Sequence, residues 1–61
     1  SGSITVKTDD AVEFVTVYDV FGKNVASSNS ATVNVSELSA GVYMTIIKTD
    51  KGLFQQKFVK Q

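Results

Sequence analysis

Branching at Cβ dominates this chain of 61 residues: ten Val, three Ile and six Thr stand against nine residues of Ala, Leu, Met and Glu together. A second heavy substituent on Cβ restricts χ1 in a helix and suits a pleated surface, so this ratio selects an all-β domain. The order of residues agrees. Ile4-Thr5-Val6-Lys7-Thr8 alternates apolar and polar side chains, the period of a strand with one buried face. Asp9-Asp10 follow as a turn in which each carboxylate can bond back to its own backbone. Glu13 to Val20 reads as a second strand, with Val15 and Val17 on one face and Phe14, Thr16 and Tyr18 on the other. Being largely apolar on both faces, it belongs in the middle of a sheet or beneath a covering surface.

Phe21-Gly22-Lys23-Asn24 is a tight connection in which Gly22 is suited to a positive φ, and Lys23 to Ala26 returns as the partner strand. Ser27 to Ser30 carries no apolar residue and reads as a solvated loop. Ala31 to Val35 alternates again, with Val33 and Val35 inward. Ser36 to Gly41 breaks the pattern. Leu38, its only strongly apolar residue, is read as a plug over one end of the core. Val42 to Thr49 is the longest β stretch, Asp50-Lys51-Gly52 a three-residue turn with Gly in the left-handed position, and Leu53 to Lys60 the closing strand. Six short strands joined by hairpins predict a small antiparallel β-sandwich of the immunoglobulin-like kind. Ser1-Gly2-Ser3 reads as a leader or linker and residues 4–61 as a single domain.

Missing residue types limit the chemistry. The chain has no His and no Cys, so the commonest general base, thiolate nucleophiles and imidazole or thiolate metal sites are all absent. It has no Arg, and its six Lys are balanced by six acids, so no basic face is available to neutralise phosphates. Asp9, Asp10 and Glu13 are adjacent acids without a base or metal partner and read as solvated. The composition therefore points away from an enzyme, a cofactor protein and a nucleic-acid binder. No apolar run approaches the ~20 residues of a membrane helix, so no inserted segment is expected.

Two stretches are more specific than a generic strand: Val15-Thr16-Val17-Tyr18-Asp19-Val20-Phe21-Gly22-Lys23-Asn24-Val25, and Val33-Asn34-Val35-Ser36-Glu37-Leu38-Ser39-Ala40-Gly41-Val42-Tyr43. The second is followed by Lys48-Thr49-Asp50-Lys51-Gly52 and by the ending Lys57-Phe58-Val59-Lys60. Together they resemble the type A C-terminal sorting domain of the type IX secretion system of Bacteroidetes, over roughly residues 4 to 60. That family reads as an apolar-x-apolar-Tyr-Asp-x-x-Gly-Lys/Arg-x-Val hairpin, a Leu-x-x-Gly-Val-Tyr strand and a last strand with lysines among apolar residues. The resemblance implies structural roles for Tyr18, Asp19, Gly22, Lys23, Leu38, Gly41, Tyr43, Asp50 and Gly52. Tyr43 in particular combines a ring for the core with a hydroxyl for its rim. The family's Tyr-Pro-Asn-Pro-like opening segment has no counterpart in a chain without proline. Its sandwich is described with seven strands, so one edge of a six-stranded form is expected to stand unpaired. Thr45 also departs from the family, where an aliphatic residue is common, and is expected to sit at the rim or loosen packing locally.

By resemblance, the domain is a non-catalytic address label that follows a cargo domain. It folds in the periplasm, is read by the secretion machinery during transfer across the outer membrane, and is removed at the cell surface by a sortase-like peptidase. The recognition candidates are Lys57, Phe58, Val59, Lys60 and Gln61. An uncovered edge further implies an edge-paired or strand-swapped homodimer of the isolated domain. The alternative from a different class is a small adhesion or carbohydrate-binding module. It would display aromatics, and Phe14, Phe21 and Phe54, the three not otherwise used, are expected in the core or against a parent protein.

Overall fold

Alternation sorts the chain onto two antiparallel sheets. A computed structural model describes residues 2–61 and contains β1 (Ser3–Thr5), β2 (Val12–Tyr18), β3 (Asn24–Ser28), β4 (Thr32–Asn34), β5 (Gly41–Thr49) and β6 (Gly52–Lys60). No helix forms among these residues, as the β-branched composition requires. One sheet has the order β3-β2-β5-β6, and the other pairs β1 with β4. β2 lies between β3 and β5, the interior position its two apolar faces predict. The core cluster lies between the sheets: Val15 and Val17 of β2 and Tyr43 and Ile47 of β5 meet Val33 and Val35 from the β4 side. Ile4, Val6 and Leu38 pack against that cluster, Leu38 half-buried as its reading as a plug anticipates.

Several boundaries move for local reasons. β2 ends at Tyr18 rather than Val20, because the Asp19 carboxylate accepts hydrogen bonds from the N–H groups of Phe21 and Lys23, both at 2.9 Å. That bonding closes the turn before the strand can continue. Ser27 and Ser28, expected in a loop, are paired residues of β3 opposite Thr16 and Val15. The chain then crosses between sheets through a shorter serine-rich turn, where the Ser30 hydroxyl accepts the N–H of Thr32 at 3.3 Å. At the first turn it is the Thr8 hydroxyl, not an aspartate carboxylate, that accepts the N–H of Asp10. The β5–β6 hairpin is tighter than a three-residue turn: Thr49 pairs directly with Gly52, which opens β6 and carries the positive φ of 133°. Gly2, within the expected 1–3 leader, accepts the Val35 N–H at 2.8 Å, and Ser3 opens β1; Ser1 lies outside the described residues.

The three spare aromatics are not in the core. Phe14, Phe21 and Phe54 are 37, 91 and 48 % exposed: Phe14 lies on the outer face of the four-stranded sheet, Phe21 lies in the β2–β3 turn, and Phe54 lies on the inner face where the two-stranded sheet is too narrow to reach it. Thr45 is the opposite case. It is 3 % exposed, buried in the centre of β5 rather than at the rim.

Candidate functional site

The closing strand divides its own residues between two jobs. β6 runs antiparallel to β5, with Phe58 opposite Tyr43, Lys57 opposite Met44, Val59 opposite Val42 and Lys60 opposite Gly41. Residues directly opposite share a face, so Phe58 and Lys60 lie on the inner side with buried Tyr43, while Lys57 and Val59 lie on the outer side. The Phe58 ring sits 5.8 Å from the Tyr43 ring at 31°, a tilted aromatic pair at the edge of the core. Lys57 and Val59 are exposed, and Gln61 follows the strand in solvent.

Lys60 is not a solvated lysine. Its ammonium donates to the carbonyl oxygens of Val35 at 2.6 Å, Leu38 at 2.7 Å and Ser36 at 3.3 Å. Those carbonyls belong to the segment that leaves β4 and turns toward β5, where no strand partner receives them. An ammonium has three donors and no acceptor, so it fits a site made of carbonyls alone. The Tyr43 hydroxyl donates to the carbonyl of Ser39 at 2.5 Å, in the same segment. The irregular 36–41 stretch is therefore fastened by Lys60 and Tyr43 and by the packing of Leu38. Alternation places Lys60 inward with Phe58, but its partners lie 22 to 25 residues earlier, beyond what spacing reveals.

The other motif residues are turn-builders. Besides the two bonds to its carboxylate, Asp19 exchanges main-chain bonds with Lys23 and Gly22, at 2.9 and 3.0 Å, around a Gly22 whose φ is +84°. That conformation costs a residue with a Cβ about 1–2 kcal/mol, which accounts for the glycine. Lys23 is exposed beside it, and Tyr18 ends β2 half-buried, opposite Met44. Asp50 ties its hairpin to the start of β2: its carboxylate accepts the Ala11 N–H at 3.2 Å and its own N–H donates to the Ala11 carbonyl at 3.1 Å. Gly41 opens β5 beside Lys60.

Each of these motif residues holds a turn or a strand end, in the order and spacing of the two stretches that carry the resemblance. The sequence model of the secretion system C-terminal sorting domain matches residues 1–61, the whole chain. The chain belongs to that family. Neither a curated protein nor a solved structure matches it significantly. The domain is thus a sorting signal of the type IX secretion system of Bacteroidetes, and a protein that carries it is exported through the outer membrane. No cluster of three or more potential metal-ligating side chains stands together among the described residues. The exposed aromatics form no common platform: Phe14 lies opposite Lys48 on the outer face, Phe54 opposite Ile47 on the inner face, and Phe21 in the β2–β3 turn.

Proposed function

We propose that the domain acts as a folded, non-catalytic label whose outer β6 surface is what the secretion machinery reads. In this reading Lys57, Val59 and Gln61 contact the machinery, while Phe58 and Lys60 hold the strand in the shape that is recognised. The observation that carries it is the division of β6 into a fastened inner face and an exposed outer face. β6 is also a sheet edge, paired with β5 alone, so a partner strand can add to its open side. Lys57 and the exposed Val59 on this strand supply charge and apolar contact for such pairing.

The sheets form an immunoglobulin-like sandwich in this account, following a cargo domain in the parent protein. The domain folds in the periplasm, and a sortase-like peptidase detaches it after transfer. Edge pairing through β6 or β3 gives the isolated domain a route to a homodimer.

Deleting Lys57 to Gln61 cannot test this reading, since it removes the fastening with the contact surface. The discriminating variant is Lys57→Glu with Val59→Ser in the full-length protein, because both positions are exposed. Its thermal midpoint should match that of the parent, and the cargo should fail to reach the cell surface. Normal surface display by a folded variant refutes recognition through this face.

A further inference from the structure

β6 ends its sheet as a strand of nine residues that pairs with β5 without a bulge, from Lys60 opposite Gly41 to Gly52 opposite Thr49. Long, regular edges invite a further strand, and proteins that avoid one place prolines, bulges or charges there. This chain has no proline. Lys60 directs its ammonium to the carbonyls of Val35, Ser36 and Leu38, so Lys57 is the one charge left in solvent along β6.

Thr49 and Gly52 flank the two-residue turn Asp50-Lys51, so they exchange main-chain hydrogen bonds, and the bonding side alternates from there along both strands. The Asp50 N–H, one residue on, donates instead to Ala11 beside β2, as that alternation requires. The main-chain groups of Gly52, Phe54, Gln56, Phe58 and Lys60 are therefore used by β5, and those of Leu53, Gln55, Lys57 and Val59 point to the open edge. The side chains of Phe54, Gln56 and Phe58 face inward, where the two-stranded sheet stops short and a groove of about 370 Å³ lies between β1 and β6. Those of Leu53, Gln55, Lys57 and Val59 face outward.

We propose that two copies of this chain join edge to edge through β6, antiparallel about a two-fold axis at Gln56, into one continuous sheet. All nine residues of each strand then overlap. Leu53 stands opposite Val59 of the second copy, Phe54 opposite Phe58, Gln55 opposite Lys57 and Gln56 opposite Gln56, so apolar meets apolar and polar meets polar on both faces. The open main-chain groups meet as hydrogen-bonded pairs, Leu53 with Val59 and Gln55 with Lys57. Leu53, Phe54 and Val59, 64, 48 and 51 % exposed, each gain an apolar neighbour.

Other registers fail on the same grounds. A shift of the pairing by one residue sets open main-chain groups against groups already used by β5. Moving the axis to Gln55 puts Phe54 opposite Gln56 and Leu53 opposite Lys57, and moving it to Lys57 sets the two lysines against each other. β3, the other edge of this sheet, has only five residues, and its ladder with β2 shifts register at Tyr18. The proposal rests on the open β6 edge invoked for sorting, and names a second copy as the strand that fits it. A strand of the machinery and a second copy exclude one another there, so self-pairing withholds the edge from the machinery.

The test uses the 61-residue chain alone, with no secretion readout, so it can fail while the sorting role stands, and the reverse. Sedimentation equilibrium should show monomer and dimer in exchange. As protein concentration rises, amide hydrogen exchange should slow at Leu53, Gln55, Lys57 and Val59 more than at Phe54, Gln56 and Phe58. Gln55 and Gln56 are both exposed, so substitutions there leave the monomer intact. Gln55→Glu sets a carboxylate opposite Lys57 of the second copy on both sides of the axis and should tighten the dimer about fivefold, while Gln55→Lys should loosen it by about as much. Gln56→Cys should cross-link on oxidation by glutathione disulfide, since the Cα atoms of an opposed, non-hydrogen-bonded pair lie about 4.5 Å apart. Gln55→Cys should not, because its two copies lie diagonally at about 7–8 Å. A monomer at every concentration, exchange that slows elsewhere, or cross-linking by Gln55→Cys rather than Gln56→Cys would overturn the proposal. So would a dimer indifferent to the charge placed at Gln55, which would assign the contact to another surface or to an exchanged strand.

Discussion

Replacing Lys60 by Met keeps the aliphatic stem and removes only the ammonium, so the change reads the value of the three carbonyl contacts. A hydrogen bond to a charged group contributes about 1.5–3 kcal/mol. Lys60 is half-buried, and the carbonyl of Ser36, at 3.3 Å, is the most weakly held of the three. Counting only the two short bonds, at the low end of that range and with partial rehydration, gives a loss of about 2–3 kcal/mol. A domain of this length has a total stability of about 3–9 kcal/mol, so the loss is a large fraction of it. The thermal midpoint should fall by about 10–20 °C. In urea the midpoint should drop by about 2 M at an unchanged slope of ~1 kcal/mol/M, measured by circular dichroism. Lys60→Arg should recover only part of the loss, because a planar guanidinium cannot direct its donors at three carbonyls as a rotatable ammonium does. If Lys60→Met unfolds within about 0.5 kcal/mol of the parent, the range of ordinary surface changes, water serves those carbonyls equally well and the last strand is not fastened by this residue.

Two further outcomes can be checked on the same denaturation curves. Thr45→Val replaces an unpartnered buried hydroxyl by a methyl group of similar shape, and should raise stability by about 1 kcal/mol; a loss of that size would mean the hydroxyl is satisfied. Asp19→Ala removes both 2.9 Å bonds to the turn and should cost about 2 kcal/mol, whereas Asp19→Asn, which keeps an accepting oxygen, should cost less than half as much.

Much of the architecture was legible because alternation is a local property. The period of two identified the six strands and set Val15, Val17, Val33 and Val35 inward, and each is at most 2 % exposed. The same period divides the terminal strand between its faces once Phe58 is anchored in the core. What escaped is where side chains bond the backbone. The Asp19 carboxylate stops β2 two residues early, and the ladder extends β3 through Ser27 and Ser28, neither of which hydrophobicity marks. Of the two places expected for Phe14, Phe21 and Phe54, the core is excluded by their exposure, because burial of a large ring depends on what covers it, which its neighbours in sequence do not state.

The sequence by itself determined an all-β chain, its inward faces, its hairpins and the ordered motifs of a sorting domain, because propensity, alternation and turn chemistry act over a few residues. Only the tertiary structure decided that Lys60 is a fastening rather than a solvated charge, that Thr45 is buried without a partner, and that β1 and β6 enclose an open groove. Each of these depends on residues tens of positions apart, and above all on the width of one sheet relative to the other. The unpaired edge expected from strand number alone thereby acquires a place, beside β1 and above the inner face of β6.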